Sequence, residues 1–115
     1  MALRWEELVI DCRDFQTLGT WWASALGWEV IDQDEEVLEV RNPEGGPTLL
    51  FLNTPDDKVV KNRLHLDFVP DDQGAEVARL EGLGARRIDI GQGEQTWVVM
   101  ADPEGNEFCV LSARS

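Results

Sequence analysis

Residues 101–111 read ADPEGNEFCVL, and this stretch decides the fold. Asp-Pro-Glu-Gly-Asn is turn chemistry: proline fixes one backbone angle, aspartate and asparagine bond their own backbone, and glycine tolerates a left-handed conformation. The run after it, EFCVLS at 107–112, reads as a strand. The same signal recurs near the middle of the chain. Residues 42–46 read NPEGG and lead into TLLFLN at 48–53, another apolar strand. Pro-Glu-Gly therefore repeats at an offset of 60 residues. A second pair, LGWEVID at 26–32 and LGARRID at 83–89, matches at four of seven positions with an offset of 57. Two pairs in the same order argue for internal duplication, with small loop insertions accounting for the drift.

Both copies predict the same succession of elements. WEELVID, 5–11, is a strand. Asp14 caps a helix over 15–26, with Phe15, Leu18, Trp22 and Ala25 at helical spacing and Gly27 as its stop. Strands follow at 28–32, 36–41 and 48–53. After the polar connector TPDDKVVKN, 54–62, RLHLDFV at 63–69 is a strand. Asp71 or Asp72 caps a helix over 73–83, with Val77, Leu80 and Leu83 on one stripe and Gly84 closing it. Strands at 86–90, 96–101 and 107–112 complete the second copy. The expected fold is α+β: two tandem βαβββ modules, 1–57 and 58–115, forming a curved mixed sheet around a central cavity in a single domain. One helix covers only one face of a sheet, so the other face needs a partner or a ligand.

Composition narrows the function. The chain has 115 residues with 43% hydrophobic, five tryptophans and a net charge of −13. Such a charge repels phosphate backbones and anionic membranes, which argues against nucleic-acid and membrane partners. It serves solubility, and it also favours cationic ligands. Residues 1–10, MALRWEELVI, lack the basic and apolar regions of a signal peptide, and no apolar run approaches a membrane span. Cys12 and Cys109 then read as reduced thiols, and the expected location is cytoplasmic.

Strand alternation sorts the remaining residues onto faces. In the first strand, Leu8, Ile10 and Cys12 should meet the helix, leaving Trp5, Glu7, Val9 and Asp11 on the cavity side. In RLHLDFV, Leu64, Leu66 and Phe68 should pack inward and His65 and Asp67 face the cavity. In the last strand, Glu107, Cys109 and Leu111 share one face. Around Trp97 and Val99 both faces are apolar, so alternation leaves them open. His65 is the only histidine, and histidine is the side chain suited to acid–base work near neutral pH. It reads either as that or as a hydrogen-bonded structural residue. Glu7 reads as a site carboxylate or an exposed strand residue, and Cys109 as a small core residue or a nucleophile. The Trp21–Trp22 pair reads as core packing or a ligand cage.

With these residues in place, the chain resembles the vicinal oxygen chelate superfamily of glyoxalase I, bleomycin-resistance proteins and extradiol dioxygenases. The carriers are SALGWEV (24–30), RLHLDF (63–68), EGLGARRIDIG (81–91) and ADPEGNEFCVL (101–111). It looks closest to the glyoxalase-like domains of actinobacterial type. The resemblance implies a metal held by two ligands from each module, on its first and last strands. Those positions fall at Glu7 and His65, near Phe51, and at Cys109, where the family usually has Glu. No residue from 48 to 53 is Glu, Asp, His or Cys. A Glu7–His65–Cys109 set would be three ligands, a catalytic zinc count. With Phe51 where a ligand belongs, a divalent metal is not the favoured expectation. Glu107, one pleat from Cys109, is a further carboxylate.

The leading expectation is therefore a small-molecule-binding protein with an incomplete metal site, its pocket lined by Trp5, Phe51, Asp67, Trp97 and Cys109. The alternatives are a metal-dependent lyase or isomerase of glyoxalase type, a metal-independent enzyme using Glu7 and His65 as acid–base groups, and a purely structural protein. The resemblance also implies a homodimer, with the cavity within one chain or between swapped chains.

Overall fold

The order of elements follows from local chemistry in the computed structural model, which describes residues 2–114. Asp14 lies in extended conformation, and its carboxylate accepts from the Thr17 backbone N–H at 3.1 Å and the Thr17 hydroxyl at 2.8 Å. This satisfies the free donors of a helix start. Helix α1 (Phe15–Leu26) runs from there to Gly27, whose φ of 67° is the left-handed stop that favours glycine. Phe15, Leu18, Trp22 and Ala25 are all buried, as their spacing predicts. Trp21 and Trp22 meet edge to face at 5.0 Å, with Trp22 buried in the core.

Module one places β1 (Glu7–Cys12), β2 (Glu29–Gln33), β3 (Val37–Arg41) and β4 (Thr48–Asn53) in one sheet, in the order β1-β4-β3-β2. β1 and β4 are parallel, and the other pairs are antiparallel. Module two repeats this arrangement with β5 (Leu66–Phe68), α2 (Gln73–Gly82), β6 (Arg86–Arg87), β7 (Val98–Ala101) and β8 (Glu107–Val110). Its sheet order is β5-β8-β7-β6, with β5 and β8 parallel. The fold class is thus α+β, two βαβββ modules each with a mixed four-stranded sheet. The chain divides into two compact units with the boundary between Asp57 and Lys58.

The repeated turn has one mechanism in both modules. Asn42 Oδ1 accepts from Glu44 N at 2.9 Å, and Gly45 adopts φ 98°. Asp102 Oδ1 accepts from Glu104 N at 2.9 Å and Asn106 N at 3.0 Å, and Gly105 adopts φ 93°. In each case the residue before proline folds its side chain over the following backbone, and the glycine reverses the chain.

Three sequence expectations are corrected here. The strand expected over 63–69 is limited to 66–68, so Leu64 lies outside it and is 84% exposed rather than packed inward. Leu83 is the C-cap of α2 and stands exposed, while Val77 and Leu80 carry the buried stripe. Trp5 precedes β1 and is exposed, with its indole N–H donating to the Glu7 carbonyl at 3.2 Å. Short strands end where their ladder partners end, and a β8 of four residues cannot hold a seven-residue β5.

Candidate functional site

The sheet face away from α2 carries the site. Asp67 on β5 pairs in register with Cys109 on β8, and Val99 on β7 pairs with Cys109 from the other side. Partners in register point to the same face, so these three side chains form one row. Phe68, Phe108 and Val110 belong to the opposite set; Phe68 and Phe108 meet edge to face at 6.0 Å. A concave cup of about 270 Å³ opens on the row. His65, Asp67, Cys109 and Glu107 line it together with Trp97, Val99, Ile90, Leu111, Gln92 and Lys61.

Loop bonds hold the rim. Gln73 at the start of α2 donates to Thr96 O at 2.8 Å and Val110 O at 3.1 Å, anchoring the loop ahead of Trp97. Ile90 N donates to Gln92 Oε1 at 2.8 Å, and Gln95 Nε2 to Gln92 O at 2.9 Å. Ile90, Gln92 and Lys61 come from irregular segments, where no period in the sequence marks them as lining residues. Val99 and Trp97 share a face while Met100 is fully buried, which resolves the strand where alternation gave no answer.

The chemistry concentrates at one end of the cup. His65 Nε2 lies 3.2 Å from Asp67 Oδ1, both side chains about half exposed. Burial pushes the Cys109 thiol up to about 11, helped by the Asp67 charge and by a hydrogen bond to Asp67, against a smaller opposing pull from Lys61. Cys109 is therefore a neutral thiol at pH 7. Glu107 is already engaged: Lys58 Nζ stands 2.5 Å from one oxygen and Asn62 N donates to the other at 2.7 Å. Burial alone would raise the Glu107 carboxyl, but those bonds and the Lys58 charge outweigh it and hold it below its ordinary value. It serves to fasten the connector to β8.

Phe51 is corrected as a pocket residue. It is 0% exposed, and a methyl group built at Gly19 of α1 would lie 3.1 Å from its ring, so it faces the helix. The residue beside Val9 in register is Leu50, and Glu7 stands beside Thr48. Module one thus offers a hydrocarbon side chain at the last-strand position where the resemblance calls for a metal ligand. The four-ligand set is incomplete on that account. In module two, one ligand atom each from His65, Asp67 and Cys109 lies within 4.8 Å of the others. Nitrogen, oxygen and sulfur donors at that separation fit a zinc-type ion. Glu7 is half-buried on β1 of module one, and Trp5 belongs to that module as well.

Comparison with known proteins agrees with this architecture. The chain is similar to the solved structure of a glyoxalase/bleomycin resistance protein/dioxygenase family enzyme from Burkholderia phytofirmans PsJN, at 16% identity and TM-score 0.73, covering 95% of this chain and 98% of that one. It is similar to TnmS3, an antibiotic binding protein from Streptomyces sp. CB03234, at 16% identity and TM-score 0.71, covering 99% of both chains. It is also similar to the oxidase ChaP-H2, at 18% identity and TM-score 0.71, covering 99% of this chain and 96% of that one. These likenesses carry the fold. No curated protein matches the sequence. The glyoxalase-like domain family matches residues 7–111, nearly the whole chain, and the chain belongs to that family.

Proposed function

We propose that this glyoxalase-like protein, residues 1–115 acting as one domain of the actinobacterial type, binds a small organic molecule in the cup of module two. The observation that carries the reading is the composition of that cup. Trp97, Ile90, Val99 and Leu111 supply apolar walls, and His65, Asp67 and Cys109 gather polar atoms at one place. Small-molecule sites have this form: mostly apolar, with few and convergent polar groups. A planar ring would stack on Trp97, and a cationic or hydrogen-bond-donating group would meet Asp67. The net charge of −13 favours a cationic ligand over an anionic one. The antibiotic-binding relative TnmS3 supports binding as a use of this fold.

The test is a thermal-shift and calorimetric screen of small aromatic cations, run with a chelator present. Binding by the parent protein that is lost in Trp97→Ala and weakened in Asp67→Asn supports the reading. No binding across such a set overturns it.

The His65–Asp67 pair favours a second reading, acid–base catalysis, because a carboxylate beside an imidazole fixes its orientation. His65 and Glu7 are then the candidate acid–base residues. Turnover of a bound ligand that survives both His65→Gln and Glu7→Gln would exclude it. A homodimer in the cytoplasm completes the proposal, the dimer being what the sequence resemblance implies. Light scattering of the purified chain decides the dimer.

A further inference from the structure

We propose that module two by itself holds a thiophilic divalent cation of zinc type, through a ring nitrogen of His65, a carboxylate oxygen of Asp67 and the sulfur of Cys109. The inference deepens the cup reading, since the cation would sit at the cup's polar end. It departs from the two-module ligand set that the sequence resemblance implies, because Asp67 takes a place that module one does not fill.

The geometry comes from the backbone. Asp67 and Cys109 are register partners on parallel strands, so their side chains stand side by side on one sheet face. His65 lies one residue before β5 and reaches Asp67 Oδ1 at 3.2 Å from Nε2. The three donor atoms lie within 4.8 Å of one another. Ligands bound to a common zinc at ~2.0–2.3 Å stand roughly 3.3–3.8 Å apart in a tetrahedron, so the widest of these separations closes by roughly 1–1.5 Å of side-chain movement. A thiolate and an imidazole select zinc-type ions, whereas magnesium and calcium demand more oxygen donors than the cup offers. Three protein ligands leave a fourth position open toward the cup, where water or a donor atom of a bound molecule would enter.

Binding breaks the Cys109 S–H bond. The proton leaves to solvent, the sulfur electron pair goes to the cation, and nothing is oxidised or reduced. Without a cation the same three groups form a hydrogen-bonded trio, with the thiol donating to Asp67. The proposal and that trio differ in what the chain does when metal is supplied.

The test is a titration of the chelator-stripped full chain with Co²⁺ and then Zn²⁺, without any organic ligand. The expected result is a thiolate-to-cobalt charge-transfer band in the near ultraviolet, tetrahedral visible bands, and displacement of both by Zn²⁺. Cys109→Ser should remove the charge-transfer band. Asp67→Asn and His65→Gln should each weaken binding by more than about a hundredfold, beyond the roughly 10–100-fold typical of losing an outer-shell partner. Their folding is checked by circular dichroism of the metal-free proteins. The proposal is overturned if the parent shows no charge-transfer band, which leaves the hydrogen-bonded trio. It is overturned equally if Asp67→Asn binds as the parent does while Glu7→Gln loses the metal, which is the outcome of a two-module ligand set. Since the organic-ligand screen is run in chelator, loss of the metal site and loss of the binding function are read separately.

Discussion

Asp67 and Cys109 face each other across two parallel strands, where burial, together with the neighbouring carboxylate, pushes the thiol up. Burial is the larger cause, and the Asp67 charge and hydrogen bond act in the same direction. The thiol is raised from 9.0 to about 11. Two units lower the thiolate population at neutral pH about a hundredfold, and only the thiolate attacks an electrophile. Cys109 in metal-free protein should therefore react with iodoacetamide at least about a hundredfold more slowly than a free cysteine peptide. Asp67→Asn removes the repelling charge and should speed the reaction. Site-resolved mass spectrometry over a pH series measures both. A slower reaction in Asp67→Asn would contradict the stated role of the carboxylate.

Glu107 ties the chain entering module two to its last strand, and that tie should be visible in acid. The pair with Lys58 is 9% exposed at the carboxylate and 17% at the amine. The carboxyl lies below its ordinary 4.5 in the folded protein, so the unfolded chain binds the proton more tightly. The stabilisation is complete above about pH 4.5 and disappears as the pH falls through the lowered value. Glu107→Gln should cost roughly 1.5–3 kcal/mol at pH 7, the range for hydrogen bonds to a charged group. Its penalty should shrink toward about pH 3. Urea unfolding of parent and variant at both pH values gives the comparison, and a penalty independent of pH would remove the ion pair from the account.

The duplication and the helix α1 were legible because their signals are local. Asp14, the stripe from Phe15 to Ala25 and Gly27 each act within a turn or two of the chain, and the Pro-Glu-Gly turns close on themselves. His65, Asp67, Trp97 and Cys109 were also within reach, since alternation or chemistry marked each before any geometry was known. What the chain concealed depends on partners distant in sequence. Leu64 looks like a strand residue, yet β5 extends only as far as β8 pairs with it. Phe51 looks like a stacking surface, but the register with Ile10 and the closeness of Gly19 place it in the core. Lys61, Ile90 and Gln92 reach the cup from loops, and loop geometry leaves no hydrophobic period to read.

The turn before each module's last strand should accept the other module's residue. Asp102 is 1% exposed and accepts from two backbone N–H groups and from Asn106 Nδ2 at 3.0 Å. Asn42 holds the matching place in module one with one such bond, to Glu44 N. Asp102→Ala strips all of the acceptors and should cost roughly 2–3 kcal/mol. Asp102→Asn keeps one oxygen for the backbone donors and sets an amide against Asn106, so about 1 kcal/mol is expected. Denaturant unfolding of both variants checks the order; asparagine as costly as alanine would mean that the charge, rather than the turn bonds, carries the stability.

Gly19 is a helix glycine kept by its neighbours. Alanine is the better helix former by about 1 kcal/mol, so an exposed site would gain from the exchange. Here the added methyl would come within 2.5 Å of Leu38 Cδ2 and 3.1 Å of Phe51 Cδ1. Both side chains are completely buried, so neither can swing into solvent. Overpacking of this kind costs about 1–3 kcal/mol, which offsets and exceeds the helical gain. Gly19→Ala should therefore destabilise the protein by roughly 1 kcal/mol net. Gly19→Ala combined with Leu38→Val, which clears the closer clash, should recover part of that loss despite the smaller core residue. Thermal and urea unfolding of the single and double variants measure the coupling. A stabilised single variant would show that α1 shifts freely on its sheet.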